Sequence, residues 1–134
     1  MANRKRVLVV EDNGDWRDLL RLMIERAGHE VFEVTTGLEA VHRASSVNPD
    51  LILMDLGLPR MSGDEAIGCL KTDPATRDIP VVVQTAWNAG THTNNALEAG
   101  AAEVLHKPIE VTVLLDVLRK YLSAESRPTT EAAA

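Results

Sequence analysis

The sequence has little of the chemistry that disulfide-linked or zinc-binding proteins need, because Cys69 is its single cysteine. One thiol cannot form an internal disulfide, and no cluster of cysteine and histidine offers a zinc site. No apolar stretch approaches the roughly 20 residues that span a membrane. The polar segment 1–6 is not followed by a signal-peptide core. These absences predict a soluble, cytoplasmic protein without a membrane partner.

An excess of positive charge is also absent. The 20 acidic residues outnumber the 14 Lys and Arg residues, and the formal net charge is −6. Because such a chain repels a phosphate backbone, we expect no direct nucleic-acid partner. The length of 134 residues and the hydrophobic share of 45% suit one globular domain.

Short apolar runs alternate with amphipathic stretches along the chain. The runs lie at 7–10, 31–34, 51–54, 81–83 and 102–105. Such runs are typical of strands buried on both faces of a parallel sheet. Apolar residues at three- and four-residue spacing predict the intervening helices, the first ending at Gly28 and the second before Asn48. Five repeats of strand and helix predict a single α/β domain with helices on both faces of the sheet.

Some segments carry weaker signals. The stretch 88–95 contains several poor helix formers, so we expect the fourth helix to be weak and mobile. Cys69 falls among apolar positions of the third helix, which predicts a small buried side chain. From about Ser123 the chain becomes polar and alanine-rich. We therefore expect a folded domain over 1–123 and a disordered tail over 124–134.

Polar side chains follow four of the predicted strands. Glu11 and Asp12 follow the first strand, Asp55 the third, Thr85 the fourth and Lys107 the fifth. Ligands of open parallel sheets bind beyond these strand ends, where the strand order reverses. If the first and third strands are neighbours, the three carboxylates converge, and a hard cation such as Mg²⁺ relieves their repulsion. That cation would also assist a carboxylate that attacks a phosphoryl group.

Taken together and in order, these motifs resemble the response-regulator receiver domains of two-component signalling, over about residues 5–122. The matching motifs are Glu11-Asp12, Asp55 with Pro59 and Gly63 beyond it, Thr85-Ala86, and Lys107-Pro108. The resemblance implies a doubly wound, flavodoxin-like (βα)5 fold with strand order 2-1-3-4-5. Two helices would lie on one face and three on the other, as in chemotaxis regulators.

The resemblance also implies a role for each motif. Asp55 is the phosphoacceptor that takes a phosphoryl group from phosphohistidine. Asp12, Asp55 and the carbonyl of Gly57 bind Mg²⁺, and Glu11 acts through a metal-bound water. The remaining residues, Thr85, Ala86 and Lys107, bind the phosphoryl group, and the bond before Pro108 is cis.

Partners follow from the same resemblance. A histidine kinase or a histidine phosphotransfer protein donates the phosphoryl group, and an unknown protein receives the signal. The domain is a monomer or a weak homodimer. It is no enzyme beyond catalysing its own phosphorylation and dephosphorylation.

The sequence departs from the receiver pattern at Val104, where these domains often carry the aromatic residue that moves during switching. A non-switching interaction module is therefore the alternative. Trp87, two residues after Thr85, is expected to cover the site or contact a partner.

Two classes of enzyme that also use this kind of fold or chemistry fit the sequence poorly. Haloacid-dehalogenase phosphatases need a second acid where Gly57 stands, and an FMN site needs a phosphate loop where 11–15 is acidic.

Single residues also have plainer interpretations. Glu11-Asp12 alone would suit the N-terminus of a helix. Asp55 alone could initiate a turn, Thr85 could be an ordinary β-branched strand residue, and Lys107 could be a solvated surface lysine. Agreement among all the positions favours the phosphoryl site.

Overall fold

The computed structural model describes residues 4–58, 61–86 and 90–123, and of residues 90–92 only the backbone. Pro59, Trp87 and the tail 124–134, about which the sequence raised expectations, lie outside these ranges.

Strands and helices alternate through the whole of the described chain. The strands are β1 (Arg6–Val10), β2 (Glu30–Val34), β3 (Leu51–Asp55), β4 (Val81–Thr85) and β5 (Glu103–His106). The helices are α1 (Gly14–Arg26), α2 (Gly37–Val47), α3 (Gly63–Thr72), α4 (Gly90–Ala99) and α5 (Val111–Leu122). The ten predicted elements are therefore confirmed in type and order.

The five strands form one parallel sheet in the order β2-β1-β3-β4-β5. β1 pairs with both β2 and β3, so the direction of strand addition reverses at this point. The register places Val10 beside Met54, Asp55 beside Gln84, and Thr85 beside His106. The residues that end these strands consequently share one edge of the sheet.

Alternate residues of each strand enter two separate cores. Leu8 and Ile52 belong to a first core cluster, which also contains buried residues of α2, α3 and α4. Val9 and Leu53 belong to a second core cluster, which contains buried residues of α1 and α5. Two helices thus cover one face and three cover the other, as expected for strands buried on both sides.

Helix ends follow the capping residues. The side chain of Asn13 accepts a hydrogen bond from the backbone N–H of Trp16 at 2.9 Å, which caps the start of α1. At its other end, Gly28 has a φ of 97°, a left-handed conformation that glycine adopts without strain. Asn48 ends α2 in the same region, with a φ of 53°. Both predicted helix ends are confirmed.

One prediction about α3 is wrong: Cys69 is exposed rather than buried. The buried positions of α3 are Gly63, Ala66, Ile67 and Leu70, which follow the spacing of a single helix face. Position 69 falls outside that stripe, so its thiol lies towards solvent.

None of the helices within the described ranges is long and apolar enough to cross a membrane.

Candidate functional site

Three carboxylates meet at the carboxyl edge of the sheet. Glu11 and Asp12 directly follow β1, and Asp55 is the last residue of β3. One oxygen from each of the three side chains lies within 4.8 Å of the other two. Glu11 is fully buried and Asp55 is 7% exposed, whereas Asp12 faces solvent. We call these three residues the carboxylate cluster.

Lys107 reaches this cluster from the end of β5. Its Nζ lies 3.0 Å from Oε1 of Glu11 and 3.3 Å from Oδ2 of Asp55. Its backbone N–H donates to the carbonyl of Thr85 at 2.8 Å, and its bond to Pro108 is cis, as the resemblance implied. The side chain is only 24% exposed, so it is not a solvated surface lysine.

Burial and charge compete for the proton of Lys107. Burial by itself would lower the pKa of the ammonium group. The hydrogen bond to Glu11 and the negative charges of Asp55 and Glu11 outweigh burial and raise that pKa above its ordinary value. The lysine is therefore a positive charge that two buried carboxylates share.

The buried position of Glu11 makes its carboxyl group harder to ionise. Burial raises the pKa of this group. The hydrogen bonds from Lys107 and from the backbone of Asn13 lower that pKa, but they do not offset burial, and the charge of Asp55 raises it further. The Asn13 N–H donates to Oε2 at 3.1 Å. More positive charge at the cluster would stabilise the ionised form.

The carboxylate of Asp55 is held on both of its oxygens. The N–H of Gly57 donates to Oδ1 at 3.1 Å, and Lys107 faces Oδ2. A methyl group at Gly57 would stand 3.8 Å from Oδ1 and 4.0 Å from Oδ2. Glycine at this position therefore keeps a side chain away from the carboxylate.

Thr85 lies at the end of β4 and is almost fully buried. Its hydroxyl donates to the backbone carbonyl of the exposed Ala86 at 3.2 Å. The Thr85 hydroxyl is thus bonded locally, and it would have to turn to donate to a group on Asp55.

Val104 is half-buried in β5 and packs against the first core cluster.

The plainer interpretation of Glu11 does not hold. α1 begins at Gly14, and the acidic residue in its first turn is Asp15. Glu11 instead points into the cluster, where Lys107 contacts it.

Sequence reasoning missed two residues beside the cluster. Gln84 is fully buried, and its Nε2 donates to Oε1 of Glu11 at 3.3 Å. Trp16 donates from its indole nitrogen to Oε1 of Gln84 at 2.7 Å. The available signal was an amide that directly follows three valines in the strand Val81–Thr85. Trp16 also packs against the second core cluster.

The residues present fit a divalent cation. Carboxylate oxygens are the hard ligands that Mg²⁺ prefers, and three of them are within 4.8 Å of one another. The exposed side chain of Asp12 leaves one side of the cluster open to water, which usually completes the shell of this ion.

Comparison with known proteins gives a consistent result. The family described as "Response regulator receiver domain" matches residues 7–119. The chain is 38% identical over 118 residues to the "Polar-differentiation response regulator DivK" of Brucella ovis. That alignment covers 88% of this chain and 96% of the relative.

Solved structures agree with the fold. A putative response regulator from Chloroflexus aurantiacus is 28% identical, with a TM-score of 0.83 over 89% of this chain and 98% of the other. The receiver domain of the sensor histidine kinase PA1611 from Pseudomonas aeruginosa is 29% identical, with a TM-score of 0.82 and the same coverage. That structure has a magnesium ion coordinated in its active-site cleft.

Proposed function

The chain belongs to the response regulator receiver domain family of two-component signalling, and on that premise we propose that it is a phosphoacceptor switch. In this proposal Asp55 accepts a phosphoryl group from phosphohistidine. One observation carries the proposal: Lys107 and the carboxylate cluster, from the ends of three strands, meet at a single point.

Asp12, Asp55 and the carbonyl of Gly57 would hold Mg²⁺, with Glu11 acting through a water molecule. When bound, the ion offsets the negative charge of the cluster and of the phosphoryl oxygens. The magnesium-bound receiver domain of PA1611 supports this choice of ion.

The chain's own residues supply the remaining groups. An oxygen of Asp55 attacks phosphorus, the phosphorus–nitrogen bond breaks, and the imidazole of the donor leaves with the bonding electrons. Lys107, already beside Oδ2 of Asp55, pairs with a phosphoryl oxygen. Thr85 turns its hydroxyl from the carbonyl of Ala86 towards the phosphoryl group, and the backbone of Ala86 moves with it.

The donor would be a histidine kinase or a histidine phosphotransfer protein, and a downstream protein would read the modified surface. The chain would catalyse only its own phosphorylation and dephosphorylation. It would act as a monomer or a weak homodimer, without nucleic acid or membrane.

Incubation with acetyl phosphate and Mg²⁺, followed by intact mass spectrometry, tests the proposal. We expect one added phosphoryl group on the wild-type protein and none after chelation of the metal. Asp55→Asn should abolish the added mass. Asp15→Asn, which changes an acidic residue in the first turn of α1, should retain it. A phosphorylated Asp55→Asn protein would contradict the site assignment.

Val104 favours a second candidate, a receiver-like interaction module that binds its partner regardless of phosphorylation. Beryllofluoride, which imitates a phosphoryl group, distinguishes the two. A switch should change amide hydrogen exchange over residues 94–106 when beryllofluoride and Mg²⁺ are added. Unchanged exchange there, with the ligand bound, would favour the module.

A further inference from the structure

A chain of hydrogen bonds leads from the carboxylate cluster to α1. Trp16 Nε1 donates to Gln84 Oε1 at 2.7 Å, and Gln84 Nε2 donates to Glu11 Oε1 at 3.3 Å. An indole nitrogen can only donate, so it binds the amide oxygen and leaves the amide nitrogen facing the carboxylate. The tryptophan thereby selects the orientation in which Gln84 donates to Glu11.

We propose that Gln84 is a positioning residue for Glu11, and that the Trp16–Gln84–Glu11 chain couples cation binding at the carboxylate cluster to α1. The inference rests on the proposed cation site. It adds a structural response of α1 to cation binding at that site.

The burial of Gln84 indicates that its amide is present for the hydrogen bonds that it makes. The side chain is fully buried in β4, whose other members up to position 83 are valines. A buried amide is unfavourable unless its oxygen and nitrogen are both bonded, whereas Leu or Met would fill a similar volume without this requirement. Here each end has one partner, and one of those partners is a buried carboxylate, which accepts stronger bonds than a neutral group.

α1 contacts Glu11 in two further ways. Arg17 Nη1 donates to the backbone carbonyl of Glu11 at 2.9 Å. The N–H of Asn13, the residue that caps α1, donates to the Glu11 carboxylate at 3.1 Å. A carboxylate that moves towards a cation therefore acts on the first two turns of α1 through its side chain and its backbone.

This path uses the face of the sheet opposite to Val104. Trp16 packs against the second core cluster, whereas Val104 packs against the first. The coupling to α1 thus needs no aromatic residue in β5.

Trp16 is a built-in reporter for the test. The sequence has two tryptophans, so Trp87→Phe leaves Trp16 alone. We would titrate this single-tryptophan protein with MgCl₂ and follow both indole fluorescence and heat of binding. The fluorescence should change with the same midpoint as the heat.

Gln84→Leu in that background should still bind Mg²⁺, with an affinity lower by about tenfold, the lower limit usual for the loss of a group that orients a ligand. Its fluorescence should no longer respond to the ion. Leu19→Ala is the matched control, since Leu19 is an exposed α1 residue. Its response and affinity should equal those of the parent.

A second variant, Trp16→Phe, keeps the test valid if Gln84→Leu folds poorly, because it breaks the same hydrogen-bond chain and retains Gln84. Trp16→Phe, with Trp87 retained, should weaken Mg²⁺ binding in the wild type but cause no further loss in Gln84→Leu. An unchanged Mg²⁺ affinity in Trp16→Phe, or a full fluorescence response in Gln84→Leu, would overturn the proposed coupling. No magnesium binding by calorimetry would overturn the proposed cation site as well.

Discussion

Lys107 lies where two buried carboxylates would otherwise face each other without a positive charge. Lys107→Met should therefore destabilise the metal-free protein by roughly 1–3 kcal/mol, because Glu11 and Asp55 lose a charged partner. Magnesium should restore more of the stability in the variant than it adds to the wild type, since the repulsion that it relieves is greater. Thermal unfolding in MgCl₂ and in chelator measures both effects.

The control for this prediction is Lys120→Met. Lys120 pairs with Glu103 on the α5 side, away from the carboxylate cluster. Its loss should leave the effect of magnesium on Tm unchanged. An equal magnesium-induced rise in Tm for wild type and Lys107→Met would contradict the role assigned to Lys107.

His29, at the opposite edge of the sheet, makes a pH-dependent contribution to the stability of the fold. Burial lowers the pKa of its imidazole below the ordinary 6.5, against the raising effect of Asp50, and the charge of Lys5 lowers it further. Its Nδ1 also accepts the backbone N–H of Lys5 at 3.2 Å. The folded protein therefore binds this proton less readily than the unfolded chain does.

The sign follows from linkage. The stability contributed by neutral His29 is complete above the unfolded pKa and is lost as pH falls through 6.5 towards the folded pKa. His29→Gln cannot titrate, so its Tm should fall less than that of the wild type between about pH 7.5 and about pH 5. Parallel Tm curves for the two proteins would contradict this assignment.

Individual residues differed in how far the sequence predicted them. Asp12, Asp55 and Lys107 could be placed together because the carboxyl ends of parallel strands share one edge. The hydrogen bond between Trp16 and Gln84 could not be predicted, because it joins positions 68 residues apart and depends on one side-chain orientation. Cys69 was placed wrongly because a shift of one position moves a helical residue off the buried stripe.

At the scale of elements, α3 begins against the loop that follows Asp55. A methyl group at Gly63 would stand 2.8 Å from Cδ2 of Leu56 and 3.0 Å from the backbone oxygen of Asp55. Because backbone atoms cannot turn aside, Gly63→Ala should destabilise the protein by roughly 1–3 kcal/mol. Chemical denaturation would measure the loss.

Gly68 provides the matched control in the same helix. A methyl group there meets nothing within 4 Å. Gly68→Ala should stabilise the protein by about 0.5–1 kcal/mol, the ordinary gain in a helix interior. A stable Gly63→Ala protein, similar to Gly68→Ala, would show that α3 does not need this close approach.

α4 and α5 differ in how they are anchored. Among α4 residues whose side chains the structure describes, Ala96 is the fully buried one, whereas α5 buries Leu114, Val117, Leu118 and Leu122. Fewer buried apolar contacts mean a lower free energy of local opening. Amides of residues 94–99 should therefore exchange faster than those of 115–122. Equal protection of the two segments would contradict the expected mobility of α4.

Some helix ends were predictable because particular residues mark them, as Gly28 does for α1 and Asn48 for α2. Helix propensity alone was less informative for α4. The segment Gly90–Ala99 is helical despite its poor helix formers, because tertiary packing of residues such as Ala96 adds to local preference.

At the scale of the whole molecule, the site exists because β1 lies between β2 and β3. Hydrophobic periodicity predicted alternating strands and helices, but it contains no information on strand order. That order came from the resemblance to receiver domains, and it is confirmed. Without it, Glu11 and Asp55 could not have been placed on adjacent strands.

A crystal structure grown with MgCl₂ and beryllofluoride tests the central claim most directly. We predict beryllium bonded to a carboxylate oxygen of Asp55, and one magnesium ion bound by Asp12, Asp55 and the carbonyl of Gly57. Lys107 should contact a fluoride. Beryllium on another carboxylate, or magnesium away from the carboxylate cluster, would contradict the account.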